Sequence, residues 1–248
     1  MGRIVAIGGG EMREDETLAL DKRIIELTGK RRPRALFIGT ASSDDPGYYD
    51  NFSGHYGDQL GCETDVLTLL RKRPAPQDIA AKIAAADLIY VGGGNTLRMM
   101  KLWRRLGVDA LLRQAHARGT VLCGISAGAI CWFAAGHSDS RSFAAEPGSA
   151  WAYIRVRGLG LIDAFFCPHI DGENRLPNFQ QFMGKYSQMG LACDDNCALE
   201  IVDDTCRVIV SKASAKAYRV YRRGREVVTE ILPADGRDLP LADLLTKP

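Results

Sequence analysis

The sequence lacks any apolar run approaching the roughly 20 residues of a membrane span, which excludes a helical membrane protein. It also lacks charge imbalance. Its 32 basic and 30 acidic residues leave a net charge of +2, so nothing electrostatic argues for a nucleic-acid or membrane partner. The N-terminus, Met-Gly-Arg-Ile-Val-Ala-Ile, carries no signal-peptide pattern and runs straight into an expected strand. Cysteine is present but unorganised. The seven residues are an odd number, and Cys193 and Cys197 have no second cysteine or histidine pair to complete a zinc site, so no metal is expected. Cys123, Cys131 and Cys167 sit in apolar runs, as buried free thiols do, and a reducing cytoplasm is the expected setting. Internal repeats, low-complexity linkers and a domain boundary are all missing. With 248 residues, 46% of them hydrophobic, the chain reads as a single α/β domain over residues 1–248.

Two nucleotide-binding signatures fail. Gly8-Gly9-Gly10 follows the strand Arg3–Ile7, but position 13 is Arg where the dinucleotide fingerprint needs its third glycine. No Gly-Lys-Ser/Thr follows the second glycine run, Gly92-Gly93-Gly94, which excludes a P-loop. What is present is alternation. Apolar strands at 3–7, 34–38, 64–70, 88–91 and 120–123 are separated by helical segments at 22–27, 48–60, 79–86, 97–105 and 109–118. That pattern predicts a mostly parallel sheet with helices on both faces, three layers in all, with ligands at the carboxyl ends of the strands. Strand-like runs follow at 153–157 and 164–167, with Gly136–Pro147 as loop and a helix over 179–189. Three short strands near 198–202, 207–210 and 217–221 predict a C-terminal antiparallel hairpin region.

The stretch Thr120 to Trp132 organises the chain. A buried strand runs into Gly124-Ile-Ser126-Ala-Gly128, and the apolar residues after it can start a helix. Strand, Gly-x-Ser-x-Gly and helix form the context of a nucleophile elbow, in which the serine hydroxyl is pushed out beside unpaired helix N–H groups. A serine nucleophile needs a base, and the base needs an orienting acid. Of the four histidines, His169 directly follows an apolar strand and a proline, which places it at the sheet end of Ser126. His55 and His116 are expected on solvated helix faces, and His137 in the loop after the elbow helix. Asp139, Asp163, Asp171, Glu173, Asp194 and Asp195 remain open as the acid. The N–H of Ala127 and one from Gly92–Gly94 can form an oxyanion hole.

Val91-Gly-Gly-Gly-Asn-Thr96, Gly124-Ile-Ser-Ala-Gly-Ala129, Pro168-His169 and Asp194-Asp-Asn-Cys-Ala-Leu199, in that order, resemble the S51 serine peptidases. That is the group of dipeptidase E (aspartyl dipeptidase) and cyanophycinase, and the likeness covers nearly the whole chain. The resemblance implies a class I glutamine amidotransferase-like (flavodoxin-like) fold, with Ser126 as nucleophile, His169 as base and the N–H groups of Gly94 and Ala127 as oxyanion donors. It implies no metal and no organic cofactor. The family's acid is a glutamate; here the matching position is Asp195, one methylene shorter, with Asp139 as the alternative. The expected activity is hydrolysis of short peptides, with a relaxed or altered preference for N-terminal aspartate. A cyanophycinase-like hydrolase of β-aspartyl peptides is one alternative, and a non-catalytic small-ligand binding protein on the same scaffold is another. Arg175 is the candidate for binding an acidic side chain, since a guanidinium fork suits a carboxylate. The stretch Ser138 to Ala150 is a candidate for the mobile loop that closes dipeptidase sites. The reading leaves room for a homodimer.

Overall fold

The computed structural model describes residues 2–72, 74–144, 152–172 and 174–247. Its strands are β1 (Arg3–Ile7), β2 (Arg34–Ile38), β3 (Glu63–Val66), β4 (Leu88–Val91), β5 (Val121–Ile125), β6 (Phe133–Ser138), β7 (Ile154–Arg157), β8 (Ile162–Cys167), β9 (Gly190–Cys193), β10 (Cys197–Val202), β11 (Thr205–Val210), β12 (Ala217–Arg223), β13 (Glu226–Leu232) and β14 (Leu239–Pro240). The helices are α1 (Leu18–Leu27), α2 (Pro46–Phe52), α3 (Pro76–Ala85), α4 (Thr96–Leu106), α5 (Val108–Ala117), α6 (Ala127–Ile130), α7 (Arg175–Met183) and α8 (Leu241–Leu245).

The strands form two sheets. The first has the order β14-β11-β10-β1-β5-β4-β2-β3, in which β1, β5, β4, β2 and β3 run parallel and β10, β11 and β14 antiparallel. Its inner strands are apolar throughout because both faces are covered. Val5, Ile7, Phe37, Tyr90 and Cys123 point to one side, where Leu20 and Ile24 of α1 and Phe52 of α2 pack on them. Ile4, Ala6, Ile38, Ile89 and Leu122 point to the other, toward α3, α4 and α5.

The second sheet, β13-β12-β9-β8-β6-β7, corrects the expectation of one sheet with a terminal hairpin. Phe166, Leu191 and Tyr221 on one face share the core of the first sheet, while Phe165, Ala192 and Val220 on the other face pack against Phe179 and Met183 of α7. The difference begins just after the elbow. The apolar segment there can start a helix, but α6 ends at Ile130. The carbonyls of Cys131 and Trp132, which a longer helix would turn inward, instead accept the N–H groups of Leu159 (2.6 Å) and Leu161 (2.8 Å). The chain then enters β6, and Gly136, His137 and Ser138, expected in a loop, pair with β7. A short apolar run cannot distinguish buried strand from buried helix by periodicity.

A polar knot lies under the first sheet. Asp21 is fully buried and accepts from Thr17 Oγ1 (2.7 Å) and Tyr56 Oη (2.6 Å), and its carboxylate lies 2.9 Å from His55 Nε2. His55 is therefore a buried partner rather than a solvated helix residue. Burial opposes its charge, but the hydrogen bond and field of Asp21, with Asp15, raise its pKa. Asp21→Ala removes the shared acceptor and is expected to lower stability by about 3 kcal/mol, readable as a lower urea midpoint.

All seven cysteines are free and buried. Among the described residues no helix is long and apolar enough to cross a membrane.

Candidate active site

Ser126 ends β5 with φ 56° and ψ −112°, a conformation that costs a non-glycine residue about 1–3 kcal/mol. The surroundings hold it there. Its N–H donates to Ile7 O at 3.1 Å, and its carbonyl accepts from Ala129 and Ile130, both at 3.0 Å. The flanking glycines are steric necessities. A Cβ on Gly124 would lie 2.6 Å from Gly128 O, and one on Gly128 would lie 2.0 Å from Val91 O. Ser126 is partly exposed, and among the described residues its hydroxyl has no hydrogen-bond partner.

The loop after β4 runs alongside. A Cβ on Gly93 would sit 3.9 Å from Ser126 Oγ. The loop's N–H groups are assigned in turn: Gly92 to Ile38 O (3.2 Å), Gly93 to Tyr48 Oη (3.3 Å) and Asn95 to Ala41 O (2.9 Å). Gly94, with φ 129° and Ala41 O where a Cβ would go, keeps its N–H without an acceptor among the described residues, as does Ala127 in the first turn of α6. Asn95 closes the loop by capping α4, its Oδ1 accepting from Arg98 N at 2.9 Å.

His169 follows Pro168 at the end of β8, also with positive φ (52°). Its Nδ1 lies 2.5 Å from Oδ1 of Asp195, which follows β9. The two loops are cross-braced. Ile170 N donates to Cys193 O and Asp195 N to Asp171 Oδ1, each at 3.0 Å. The pair rests on Gly9, where a Cβ would lie 1.8 Å from Asp195 Oδ1 and 2.3 Å from His169 Nδ1. Gly9 is two residues beyond Ile7, the residue that holds the Ser126 N–H, which is roughly 7 Å of extended chain. The serine and the His–Asp pair thus hang from one extension of β1. The glycine run that imitates a dinucleotide loop serves as the floor under that pair.

Three of the other candidate carboxylates are occupied elsewhere. Asp163 accepts from Gln188 (3.2 Å), Asp171 braces Asp195, and Asp194 accepts from Lys216 N (2.8 Å) with its pKa raised chiefly by burial. Asp139 follows β6, and its field falls on Cys167 and Arg175. Glu173 lies outside the described residues. Of the proposed closing loop, Ser140 is tied to α4, its Oγ accepting from Leu97 N at 3.0 Å, while residues 145–150 lie outside the described residues. Among the described residues no cluster of His, Cys, Asp or Glu is placed to hold a metal.

Arg175 is buried at the start of α7. Its guanidinium donates to His137 O (3.0 Å) and lies 4.5 Å from the Tyr153 ring centroid, and its Nε has no partner. His137 is fully buried, not a loop residue, with Nε2 2.9 Å from Asn178 Oδ1. Burial, then the Arg175 charge, push its pKa down to about 3 against the Asn178 bond. Unfolding restores an ordinary histidine near 6.5, so the unfolded chain binds the extra proton between those values and this site loses stability as pH falls from about 6.5 toward 3. The His137 ring resonances are expected to stay flat from pH 8 to about 4 by NMR. His116 is half-buried against Gly2 rather than solvated.

Comparison with known proteins agrees with this layout. A family model described as peptidase family S51 matches residues 4–209. The uncharacterized peptidase YgaJ of Bacillus subtilis (strain 168) is 38% identical over 237 residues, spanning 94% of this chain and 98% of that protein. The uncharacterized peptidase PM1590 of Pasteurella multocida (strain Pm70) is 27% identical over 188 residues, 75% of this chain and 89% of that one. The crystal structure of a peptidase from an acI-B1 Actinobacterium superposes with a TM-score of 0.72 over 97% of both chains at 19% identity, a likeness of fold. An elbow serine on a parallel sheet, in a chain whose family match spans the loops that carry Ser126 and His169, leaves one conclusion: the protein belongs to peptidase family S51 and is a serine-type peptidase.

Proposed function

We propose that the enzyme hydrolyses short peptides in the manner of dipeptidase E, through Ser126, His169 and Asp195. The observation that carries this reading is the 2.5 Å contact between His169 Nδ1 and Asp195 Oδ1, packed over Gly9, two residues beyond the Ile7 carbonyl that holds the Ser126 N–H. Asp195 fixes the tautomer of His169, leaving Nε2 free to accept a proton. Ser126 Oγ attacks the peptide carbonyl while Nε2 takes its proton. The unpaired N–H groups of Gly94 and Ala127 receive the oxyanion. His169 then protonates the leaving amine, and water resolves the acyl-enzyme by the same steps in reverse. The Ser126 hydroxyl, unpartnered in the free enzyme, closes on His169 when substrate binds, since catalytic hydrogen bonds often tighten only in the complex.

Asp195 stands where the resemblance implies a glutamate, and its loop brings the shorter acid to 2.5 Å from His169 Nδ1. An altered peptide preference is part of this reading. Seven buried free thiols favour a reducing, cytoplasmic setting. A fluorophosphonate probe is expected to label the wild-type protein at Ser126 and to leave Ser126→Ala unlabelled, with the variant folded by circular dichroism. A folded wild-type protein that resists the probe would overturn the mechanism. A dipeptide library read by mass spectrometry then gives the preferred sequence, with branched Asp-Arg polymer beside it as the cyanophycinase-like control.

A further inference from the structure

The loop after β4 is a run of three glycines, Gly92 to Gly94, and it lies against the elbow: a Cβ on Gly93 would sit 3.4 Å from Ser126 Cβ. Glycine visits both signs of φ about equally, so such a run has many backbone states of similar energy. An oxyanion donor is useful only when its N–H is aimed before the charge develops. One state must therefore be selected, and the hydrogen bonds of the loop show how. On the strand side Gly92 N–H is held by Ile38 O at 3.2 Å, and on the helix side Asn95 N–H is held by Ala41 O at 2.9 Å. Both acceptors are backbone carbonyls. Between them, Gly93 N–H donates to a side chain, the hydroxyl of Tyr48, at 3.3 Å.

Tyr48 is itself fixed. It lies in the first turn of α2, whose start is set by Pro46 and by Asp45, with Asp45 Oδ1 accepting from Gly47 N at 3.2 Å. Its ring meets Phe37 of β2 edge to face, with centroids 5.0 Å apart, and a Cβ on Gly92 would lie 2.8 Å from it. Burial pushes the phenol up to about 12 against the bond from Gly93, so it remains a neutral hydroxyl near neutral pH. A helix start, an aromatic wall and the glycine loop thus hold the oxygen where Gly93 N–H meets it.

We propose that Tyr48 is a positioning residue for the reaction: its hydroxyl ties down the Gly93 N–H and so leaves the Gly94 N–H as the group of this loop that meets the oxyanion. The proposal rests on the reading of Ser126 as nucleophile and Gly94 as donor. Tyr48 touches no reacting atom. Without its hydroxyl the Gly92–Gly93 peptide is free to rotate, and the Gly93–Gly94 peptide turns with it. The substrate carbonyl makes little use of the donor before attack, whereas the tetrahedral state carries the negative charge it serves. The loss therefore falls on kcat and leaves KM alone. A donor removed outright costs about 10²- to 10³-fold in kcat, and one displaced part of the time costs less, roughly 10- to 100-fold.

The test is Tyr48→Phe, which keeps the ring and its packing and removes one oxygen. Tyr49→Phe, the same change one residue along α2, at a hydroxyl with no bond to the loop, is the control. On the best peptide from the library, Tyr48→Phe is expected to lower kcat roughly 10- to 100-fold with KM within about twofold of wild type, while Tyr49→Phe matches wild type. Two further readouts separate aim from stability. A peptide boronic acid, whose tetrahedral adduct presents an oxygen to the same donors, should lose affinity by a factor similar to the loss in kcat. Peptide binding to Ser126→Ala, measured by calorimetry, should not change when Tyr48→Phe is added. Wild-type kcat and boronate affinity in folded Tyr48→Phe overturn the proposal. So does a loss confined to KM and to peptide binding, which would make Tyr48 a substrate contact. Failure of the nucleophile reading looks different: the wild-type enzyme would itself resist both the fluorophosphonate probe and the boronate.

Discussion

Asp195→Asn is expected to lower kcat by about 10⁴-fold while leaving the fold intact. The amide has the same shape, but it can donate to His169 Nδ1 at the position where the carboxylate accepts at 2.5 Å. The imidazole then carries its proton on Nε2 and cannot take one from Ser126. The loss is electronic rather than structural, because the brace from Asp195 N to Asp171 is made by the backbone and survives the change. Asp139→Asn serves as the comparison. Its carboxylate makes no hydrogen bond to His169, so kcat should stay within about threefold of wild type, the range ordinary for a surface change. Steady-state kinetics on the best peptide from the library decides between them, and the reverse ranking would move the acid role to Asp139.

Gly9→Ala is expected to remove roughly 99% of activity, about 100-fold in kcat, with a change in unfolding free energy of at most about 1 kcal/mol. Gly9 touches no reacting atom. Its hydrogens occupy the space in which a methyl would meet the Asp195 carboxylate and the His169 ring, at 1.8 and 2.3 Å. Both obstacles are side-chain ends that can swing away, so the protein folds and the base is displaced. Gly128→Ala makes the opposite error. Its methyl would meet the carbonyl of Val91, 2.0 Å away in the backbone of the adjacent strand, which cannot yield. That variant should lose about 3 kcal/mol or more and fail to accumulate as folded protein. Urea titration beside kinetics separates the two cases, and wild-type kcat in folded Gly9→Ala would mean that the His–Asp pair does not act where it now stands.

Three features were legible from local chemistry. The parallel strands β1, β2, β4 and β5 are short apolar runs closed by glycine or polar loops, and each lies where the pattern put it. The Gly-x-Ser-x-Gly turn announces itself because no other residues tolerate such close backbone approach. Pro168-His169 does follow a strand, but that strand, β8, belongs to the second sheet and not to the one whose β5 leads into Ser126. The second sheet was hidden, because β6 carries Gly136, His137 and Ser138, and β9 is only four residues, directly after the expected helix 179–189, where no strand is read from the sequence. His55 and His137 differ from their sequence reading for one reason. Polar side chains on an element read as solvated until a partner from another element covers them, and Asp21 and Asn178 are such partners.

The sequence alone determined the setting of Ser126, the family and the parallel half of the fold, since these depend on residues adjacent in the chain. The tertiary structure decided that Asp195, rather than Asp139, Asp163, Asp171 or Asp194, lies against His169, and that Gly9 lies beneath the pair. Those facts depend on segments as far apart as Gly9 and Asp195 meeting in space, and meetings of that kind are set by how the sheets pack, which no short stretch of sequence encodes.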